Sequence, residues 1–302
     1  MIMFRKRIKN LFFRVSRQAH ICGSDAQRWW LWHLGGGKNY YSRHYREIIA
    51  KHKWVFIVGC NNSGTTLLQK ALEKCGQVSA MQYEGQRHTT MLPRAYKYGY
   101  DRVWSEYAEE LQLSSSHATC LMPRLVHDWF MALPKPVKPV IVEKTPANVL
   151  RMDFLNKHFP EAYFIGLVRN GYAVTEGITR KSGHSVERAA RHWGQVGEIL
   201  KENSQKVENY LEVRYEDLAG NLSECAAKLA DFLGLDADAI SDVQNETFSL
   251  DTVAGNSHQS IKNLNRESIG RLSKEEIESI FKHAGPMLDH YQYTADPATE
   301  KR

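Results

Sequence analysis

The sequence predicts an α/β fold with a central parallel sheet covered by helices on both faces, and three observations carry that prediction. First, Trp54–Val58 (WVFIV), Val140–Val142 and Ala162–Val168 (AYFIGLV) are short, unbroken apolar runs rich in β-formers. Such runs mark strands buried on both faces. Second, segments of helical spacing separate the strands, so successive strands are joined by crossovers and lie parallel. Third, a glycine-bounded loop leads directly from the first run into a helix, and ligands of such folds bind beyond the carboxyl ends of the strands.

The elements follow in order. In the first 15 residues Phe4, Ile8, Leu11, Phe12 and Val15 recur at helical spacing among Arg5, Lys6, Arg7, Lys9 and Arg14. Two readings stand: a helix docked on the body of the protein, or a basic amphipathic helix making peripheral contact with an anionic membrane surface. The apolar stretch is too short and too interrupted for a cleavable secretory signal. Residues 16–50 are aromatic and basic, with Gly35-Gly36-Gly37 as a hinge, and Trp29, Trp30, Trp32, Tyr40 and Tyr41 read as packing. Residues 1–50 thus form an N-terminal extension, 51–290 the main domain and 291–302 a tail.

Within the main domain, Leu67, Leu68, Ala71 and Leu72 place a helix over 65–75, stopped by Gly76. Residues 85–139 read as a mostly helical insert, with helices near 99–113 and 121–132 and a proline-rich link from Leu133 to Pro139. A helix over 147–158 follows Pro146, and helices over 171–181 and 185–204 follow the third strand. Tyr210–Arg214 is a fourth strand. Asn221 with Glu224 caps a helix over 222–233 that Gly234 ends. Ser273 with Glu276 repeats that logic for a helix expected to end near Gly285-Pro286.

The chain has 302 residues and a formal net charge of +6, too modest to argue for a nucleic-acid partner, and none is expected. Its five cysteines are odd in number and form no Cys-x-x-Cys pair, so a reduced, cytoplasmic setting is the simpler reading. No ligand spacing for zinc is present, the 13 histidines are scattered, and no metal is expected. No apolar run approaches the roughly 20 residues of a membrane-spanning helix.

The sharpest local signal is Gly59-Cys60-Asn61-Asn62-Ser63-Gly64-Thr65-Thr66 between strand and helix. Backbone N–H groups, the helix dipole and the hydroxyls of Ser63, Thr65 and Thr66 make an anion cradle there. A nucleoside triphosphatase loop would place lysine where Thr65 stands. Without that lysine, ATP or GTP hydrolysis is disfavoured and the anion is expected to be something other than a triphosphate.

These residues resemble a known family. Ser63-Gly64-Thr65-Thr66-Leu67-Leu68 after a buried strand looks like the 5′-phosphosulfate loop of PAPS-dependent sulfotransferases, a three-layer P-loop-like fold. Glu143-Lys144-Thr145-Pro146-Ala147 is similar to a segment of carbohydrate sulfotransferases. Phe164–Gly177 resembles the family's 3′-phosphate strand and turn, and Val213–Leu218 its Arg-Tyr-Glu-Asp-Leu element. Ile261–Arg271 resembles the segment that closes over the nucleotide in tyrosylprotein sulfotransferases.

The resemblance spans roughly 54–285 and implies transfer of a sulfuryl group from PAPS to a hydroxyl or amine, with PAP as product. It implies that Asn61, Asn62, Ser63, Gly64, Thr65 and Thr66 hold the 5′-phosphosulfate and that Arg169 takes the 3′-phosphate. Tyr215 would lie beside the adenine, and Asn265 and Arg271 would close over the nucleotide. It places Glu84 as the base that deprotonates the acceptor, with His88 as the other candidate. Two positions depart from the pattern. Asn62 stands where the loop usually carries Lys or Arg, and Lys144 is expected to supply the missing charge. Gly177 stands where a serine usually follows the arginine, so a backbone N–H, Thr175 or Thr179 takes its place. The acceptor is open among a glycan, a peptide tyrosine and a small metabolite. The competing readings are a P-loop kinase or NTPase, which Thr65 argues against, and a non-catalytic PAP-binding protein, which Asn62 and Gly177 motivate.

Overall fold

The first strand shows why the apolar runs are unbroken. β1 (Lys53–Gly59) is buried at every position after the first. Trp54, Phe56 and Val58 point into one core with Trp129, Phe159 and Phe164, while Val55 and Ile57 point into a second with Leu68, Leu72 and Leu229. A strand between two cores has no polar face to break the pattern. The computed structural model describes residues 25–95, 102–113, 118–245, 247–252 and 255–296. The expected basic helix of the first 15 residues lies outside them.

β1 is the centre of a five-stranded sheet with β2 (Val78–Ala80), β3 (Val140–Lys144), β4 (Tyr163–Val168) and β5 (Asn209–Arg214). The order is β2-β3-β1-β4-β5 and every pairing is parallel. The expected α/β class and covered parallel sheet are both found. β2 was not anticipated, since three residues are too few to show a period. The chain leaves β1 toward β3 on one side and later builds β4 and β5 on the other. The switch point therefore lies at the carboxyl ends of β1 and β4, where Gly59 pairs with Leu167.

The helices are α1 (Gly37–Ala50), α2 (Thr65–Leu72), α3 (Ala118–Ala132), α4 (Gly171–Ser182), α5 (Val186–Ser204), α6 (Tyr215–Gly220), α7 (Leu222–Leu233), α8 (Asn265–Ile269) and α9 (Lys274–Tyr291). Other short helical segments lie among them. An antiparallel hairpin, β6 (Thr247–Thr252) with β7 (Gly255–Ser260), precedes α8 and had no counterpart in the sequence reading. Asn221 accepts from the Glu224 N–H at the start of α7, and Gly234 ends it in a left-handed conformation. Ser273 and Glu276 form the reciprocal capping box of α9.

Four expectations are corrected. α9 runs through Pro286 to Tyr291 instead of ending there. Met287 and Tyr291 approach Gly197 of α5 and Ala284 approaches Gly194, and this close packing outweighs the hydrogen bond that the proline removes. The helix expected over 147–158 begins as a 3₁₀ turn, Pro146–Arg151, and becomes α-helical only over Met152–His158. In the insert, the first expected helix is a 3₁₀ turn, Trp104–Tyr107, followed by a single α turn, Ala108–Leu111. The aromatic cluster divides. Trp32 and Tyr41 pack on His127 of α3, but Trp29, Trp30 and Tyr40 are more than half exposed. No helix among the described residues is long and apolar enough to cross a membrane.

Candidate active site

The loop after β1 is shaped by two glycines. At Gly59 φ is 143° and a Cβ would lie 2.3 Å from the Leu167 carbonyl oxygen. At Gly64, the N-cap of α2, φ is 102° and a Cβ would lie 2.7 Å from the Tyr215 ring. Only glycine fits both the conformation and the space. Gly64→Ala is expected to cost about 1–3 kcal/mol of stability, read as a lower midpoint in urea denaturation; an unchanged midpoint would contradict the fit.

Gly64 offers no side-chain cap, so the first N–H groups of α2 have no acceptor from their own helix. They stand beyond the carboxyl end of β1, which pairs with β4 there. The loop's polar side chains are held partly within the loop and partly from other elements. Ser63 Oγ donates to the Cys60 carbonyl at 2.7 Å, and Asn61 Oδ1 accepts from the Trp104 indole at 2.7 Å. Asn62, with φ of 65°, accepts at Oδ1 from Lys181 Nζ at 2.7 Å and from Arg102 at 3.4 Å. Its Nδ2 is buried without a partner, an orphaned donor beside the cradle.

Arg169 stands just beyond β4 and is buried. It donates to the Asn62 carbonyl at 2.9 Å and to Asn265 Oδ1 at 2.8 Å, and its guanidinium lies 4.1 Å from the centre of the Tyr215 ring. Burial pushes its pKa down, with Tyr215 and Glu216 opposing. Tyr215 OH donates to the Lys262 carbonyl and accepts from the Leu264 N–H, at 2.9 and 3.2 Å. Asn265 is fully buried, and its amide donates to Glu216 Oε1 at 2.5 Å. Glu216 also accepts from the Asn170 N–H and from Tyr293 OH, both at 3.0 Å. The segment at 262–265 is thereby tied to the ends of β4 and β5. Arg271 sits at the rim of α4, within 3.3 Å of Glu176 and 2.5 Å of Glu267.

Gly177 of α4 faces Asn62, whose Cβ and Cγ lie 3.5 Å from where a Cβ would be. Lys181, four residues on, shares that helix face. Burial lowers its pKa to about 8, helped by Arg102, Arg180 and Arg169. Thr175 and Thr179 lie round the helix from this face, and their hydroxyls are buried without partners.

The second group of expected residues lies at the end of β3, next to β1. Lys144 Nζ is 3.6 Å from Glu84 Oε1, and Arg87 Nε is 3.8 Å from Glu84 Oε2. Glu84 Oε2 also accepts from Gln86 at 2.7 Å. Beneath it, Glu143 is wholly buried and accepts from the Gly85 N–H, Thr145 Oγ1 and Asn148 Nδ2. Burial pushes the Glu143 carboxyl up to about 7 against those donors. A Cβ on Gly85 would strike Glu143 at 2.6 Å, so this carboxylate seats the turn that carries Glu84. His88, on the same turn, is buried, and its pKa falls to about 4 through burial and the nearby Arg28 and Arg94.

The structure therefore brings Asn61, Asn62, Ser63, Gly64, Thr65, Thr66, Arg169, Gly177, Tyr215 and Asn265 to one crevice, with Arg271 at its rim. Glu84, His88 and Lys144 gather one strand away. The cations that reach the Asn62 side chain are Lys181 and Arg102, with Arg169 on its carbonyl, while Lys144 sits with Glu84. Sequence reasoning missed Lys181, although its spacing of four from Gly177 was a usable signal. It missed Glu143 too, although a carboxylate closing an apolar strand calls for partners. Arg102 and Trp104 come from the insert and left no local signal.

No curated relative matches the chain. Among solved structures it is similar to sulfotransferase STF9 from Mycobacterium avium, with TM-score 0.50 and 11% identity over 88% of this chain and 83% of that one. It is also similar to sulfotransferase STF1 from Mycobacterium tuberculosis, with TM-score 0.49 and 14% identity over 81% of each chain. A mouse sulfotransferase, SULT7A1, complexed with PAP, gives TM-score 0.46 and 14% identity over 83% of this chain and 89% of that one. At such identities the first of these shows the shared fold. Residues 55–239, more than half of the chain, match the model described as the sulfotransferase family, and the chain belongs to that family.

Proposed function

We propose that the chain transfers a sulfuryl group from PAPS to a hydroxyl or amine of its acceptor and releases PAP, in the cytoplasm and without a metal. One observation carries the reading: the loop after β1 presents free helix N–H groups and the orphaned Asn62 amide, and three cations converge on Asn62 from other elements. Those residues fit a molecule with an anion at each end. The N–H groups of Gly64, Thr65 and Thr66 would take the 5′-phosphosulfate, with Asn61, Asn62 and Ser63 shaping the loop. Arg169 would take the 3′-phosphate with Lys181, since both cations lie against Asn62. Tyr215 would flank the adenine, and Asn265 and Arg271 would hold the closing segment.

Sulfuryl transfer in line builds negative charge on the leaving phosphate, so positioning and fixed positive charge do most of the work. Lys144 would approach from β3 and add charge where the loop lacks its usual cation. Glu84 would accept the acceptor's proton, and Lys144 and Arg87 hold it in place for that. His88, kept neutral, is the other group able to take a proton there. The acceptor is a glycan, a peptide tyrosine or a small metabolite, and the N-terminal basic segment would provide any peripheral membrane contact.

Thermal shifts with PAP, ATP and GTP, each with and without magnesium, test the donor. PAP alone should raise the melting temperature, and labelled PAPS should then transfer to an acceptor pool. A shift with ATP and magnesium but not with PAP would favour a kinase instead. Binding also has a signed pH dependence. Lys181 binds an anion only when protonated, so PAP affinity should fall by up to about tenfold as pH rises from about 7.5 to about 9.5. Lys181→Arg should flatten the profile, and a flat wild-type profile would remove Lys181 from the site.

A further inference from the structure

The helix over residues 25–33 turns an apolar side to solvent. Arg28 and Trp32 are buried one turn apart, with Trp32 packed on His127 of α3 and Arg28 paired with Asp25. The opposite side presents Trp29, Trp30, His33 and Leu34, all exposed, as two pairs at a spacing of four. Leu34 belongs to that side because its N–H donates to the Trp30 carbonyl at 2.8 Å and continues the turn. Past the glycine hinge, α1 adds the exposed Tyr40. Of the five large apolar side chains exposed among the described residues, four therefore lie between positions 29 and 40, and the fifth is Phe281 of α9. A surface helix ordinarily keeps its apolar side inward, and a clustered outward one marks an interaction face.

Charge decides what covers it. Residues 1–50 hold ten lysines and arginines against Asp25 and Glu47, a net +8, so the rest of the chain sums to −2. Lys38, Arg43 and Arg46 are exposed on α1, and six more of the ten precede residue 18. A second copy would meet this face with the same face across a two-fold axis, positive against positive. The chain's own first residues carry the same sign and are repelled as well. An anionic surface is attracted. The residue types narrow that surface to lipid, because Trp and Tyr join an apolar ring to a polar edge and suit the boundary between acyl chains and headgroups. Aromatic residues flanked by cations are the pattern of helices that lie in that boundary.

We propose that Trp29, Trp30, Leu34 and Tyr40 dock the protein on an anionic lipid bilayer, entering the headgroup boundary while the neighbouring cations meet the lipid charges. The inference rests on the peripheral membrane contact proposed above for the basic first segment and gives it an apolar anchor; the chemistry of the crevice does not enter. Charge alone would hold the protein loosely and yield to salt, whereas buried indole rings keep a share of the binding that salt does not screen.

Co-sedimentation of the full chain with vesicles of about three parts phosphatidylcholine to one part phosphatidylserine tests the proposal. Binding should be strong to these and weak to phosphatidylcholine alone. Trp29→Gln with Trp30→Gln should lower the partition coefficient about tenfold or more, while Phe281→Gln should leave it unchanged. Both variants should melt as the wild type does, which separates lost docking from lost folding. Brominated phosphatidylcholine in the vesicles should quench the tryptophan fluorescence of the wild type more than that of the double variant. Vesicle binding that the double variant keeps, or none by the wild type, would overturn the proposal. So would a wild-type dimer that the double variant dissociates, which would put a second copy on the face. Acrylamide quenching in solution that is equal in wild type and double variant would put the chain's own first residues there, and would overturn it too. Arg5→Gln, Lys6→Gln, Arg7→Gln and Lys9→Gln together test the underlying reading. If binding survives these but not the loss of the two tryptophans, the basic segment is not the contact and the aromatic face stands; the reverse result keeps the basic segment and removes the face.

Discussion

Replacing Arg169 with alanine should weaken PAP binding by about 100-fold or more, the largest single loss expected in the nucleotide crevice. Hydrogen bonds to a charged group are worth roughly 1.5–3 kcal/mol each, and about 1.4 kcal/mol is a factor of ten. The side chain holds the Asn62 carbonyl, holds Asn265 and covers Tyr215, so its removal both deletes a ligand-facing charge and loosens the loop against the closing segment. Arg169→Lys separates the two effects. It keeps the charge but loses the fork, so it should recover only part of the affinity. Calorimetric titration with PAP reads both variants, and an alanine variant that binds PAP like the wild type would remove Arg169 from the site.

Glu84→Gln should lower kcat by about 10²–10⁴-fold, the usual range for a general base. PAP affinity should stay near that of the wild type, because Glu84 sits one strand away from the nucleotide crevice. Glutamine keeps the shape and a hydrogen bond toward Gln86 but cannot take a proton. The split between kcat and PAP affinity separates a base from a structural residue, since loss of the turn would disturb both. Retained turnover would shift the role to His88, which faces the same region as a neutral imidazole. Burial and the adjacent arginines hold His88 down at about 4, so the variant's remaining rate should not change with pH between about 6 and 8 on its account.

The sheet was legible because its strands are buried on both sides, so β1, β3 and β4 appear in the sequence as runs that no surface residue interrupts. The loop was legible because its glycines, its hydroxyls and its place between strand and helix are all local. What stayed hidden depends on contacts between distant segments. Lys181 and Arg102 both contact Asn62 Oδ1, and only the folded chain shows that α4 and the insert meet there. Glu143 reads as part of a motif in sequence but acts as the seat of the Glu84 turn. The helix through Pro286 shows packing overriding a local stop signal: Gly197 of α5, which admits Met287 and Tyr291, lies about 90 residues earlier in the chain. The β6–β7 hairpin lacks the tight two-residue turn signature that would have marked it.

The central claim is that the loop after β1 and the guanidinium of Arg169 grip the two phosphorylated ends of one adenosine nucleotide. A crystal structure of the protein grown with PAP tests it most directly. The account predicts the 5′-phosphate against the N–H groups of Gly64, Thr65 and Thr66, the 3′-phosphate within hydrogen-bond distance of Arg169, and the adenine beside Tyr215. Density for PAP elsewhere on the molecule, or an empty crevice at saturating PAP, would contradict it.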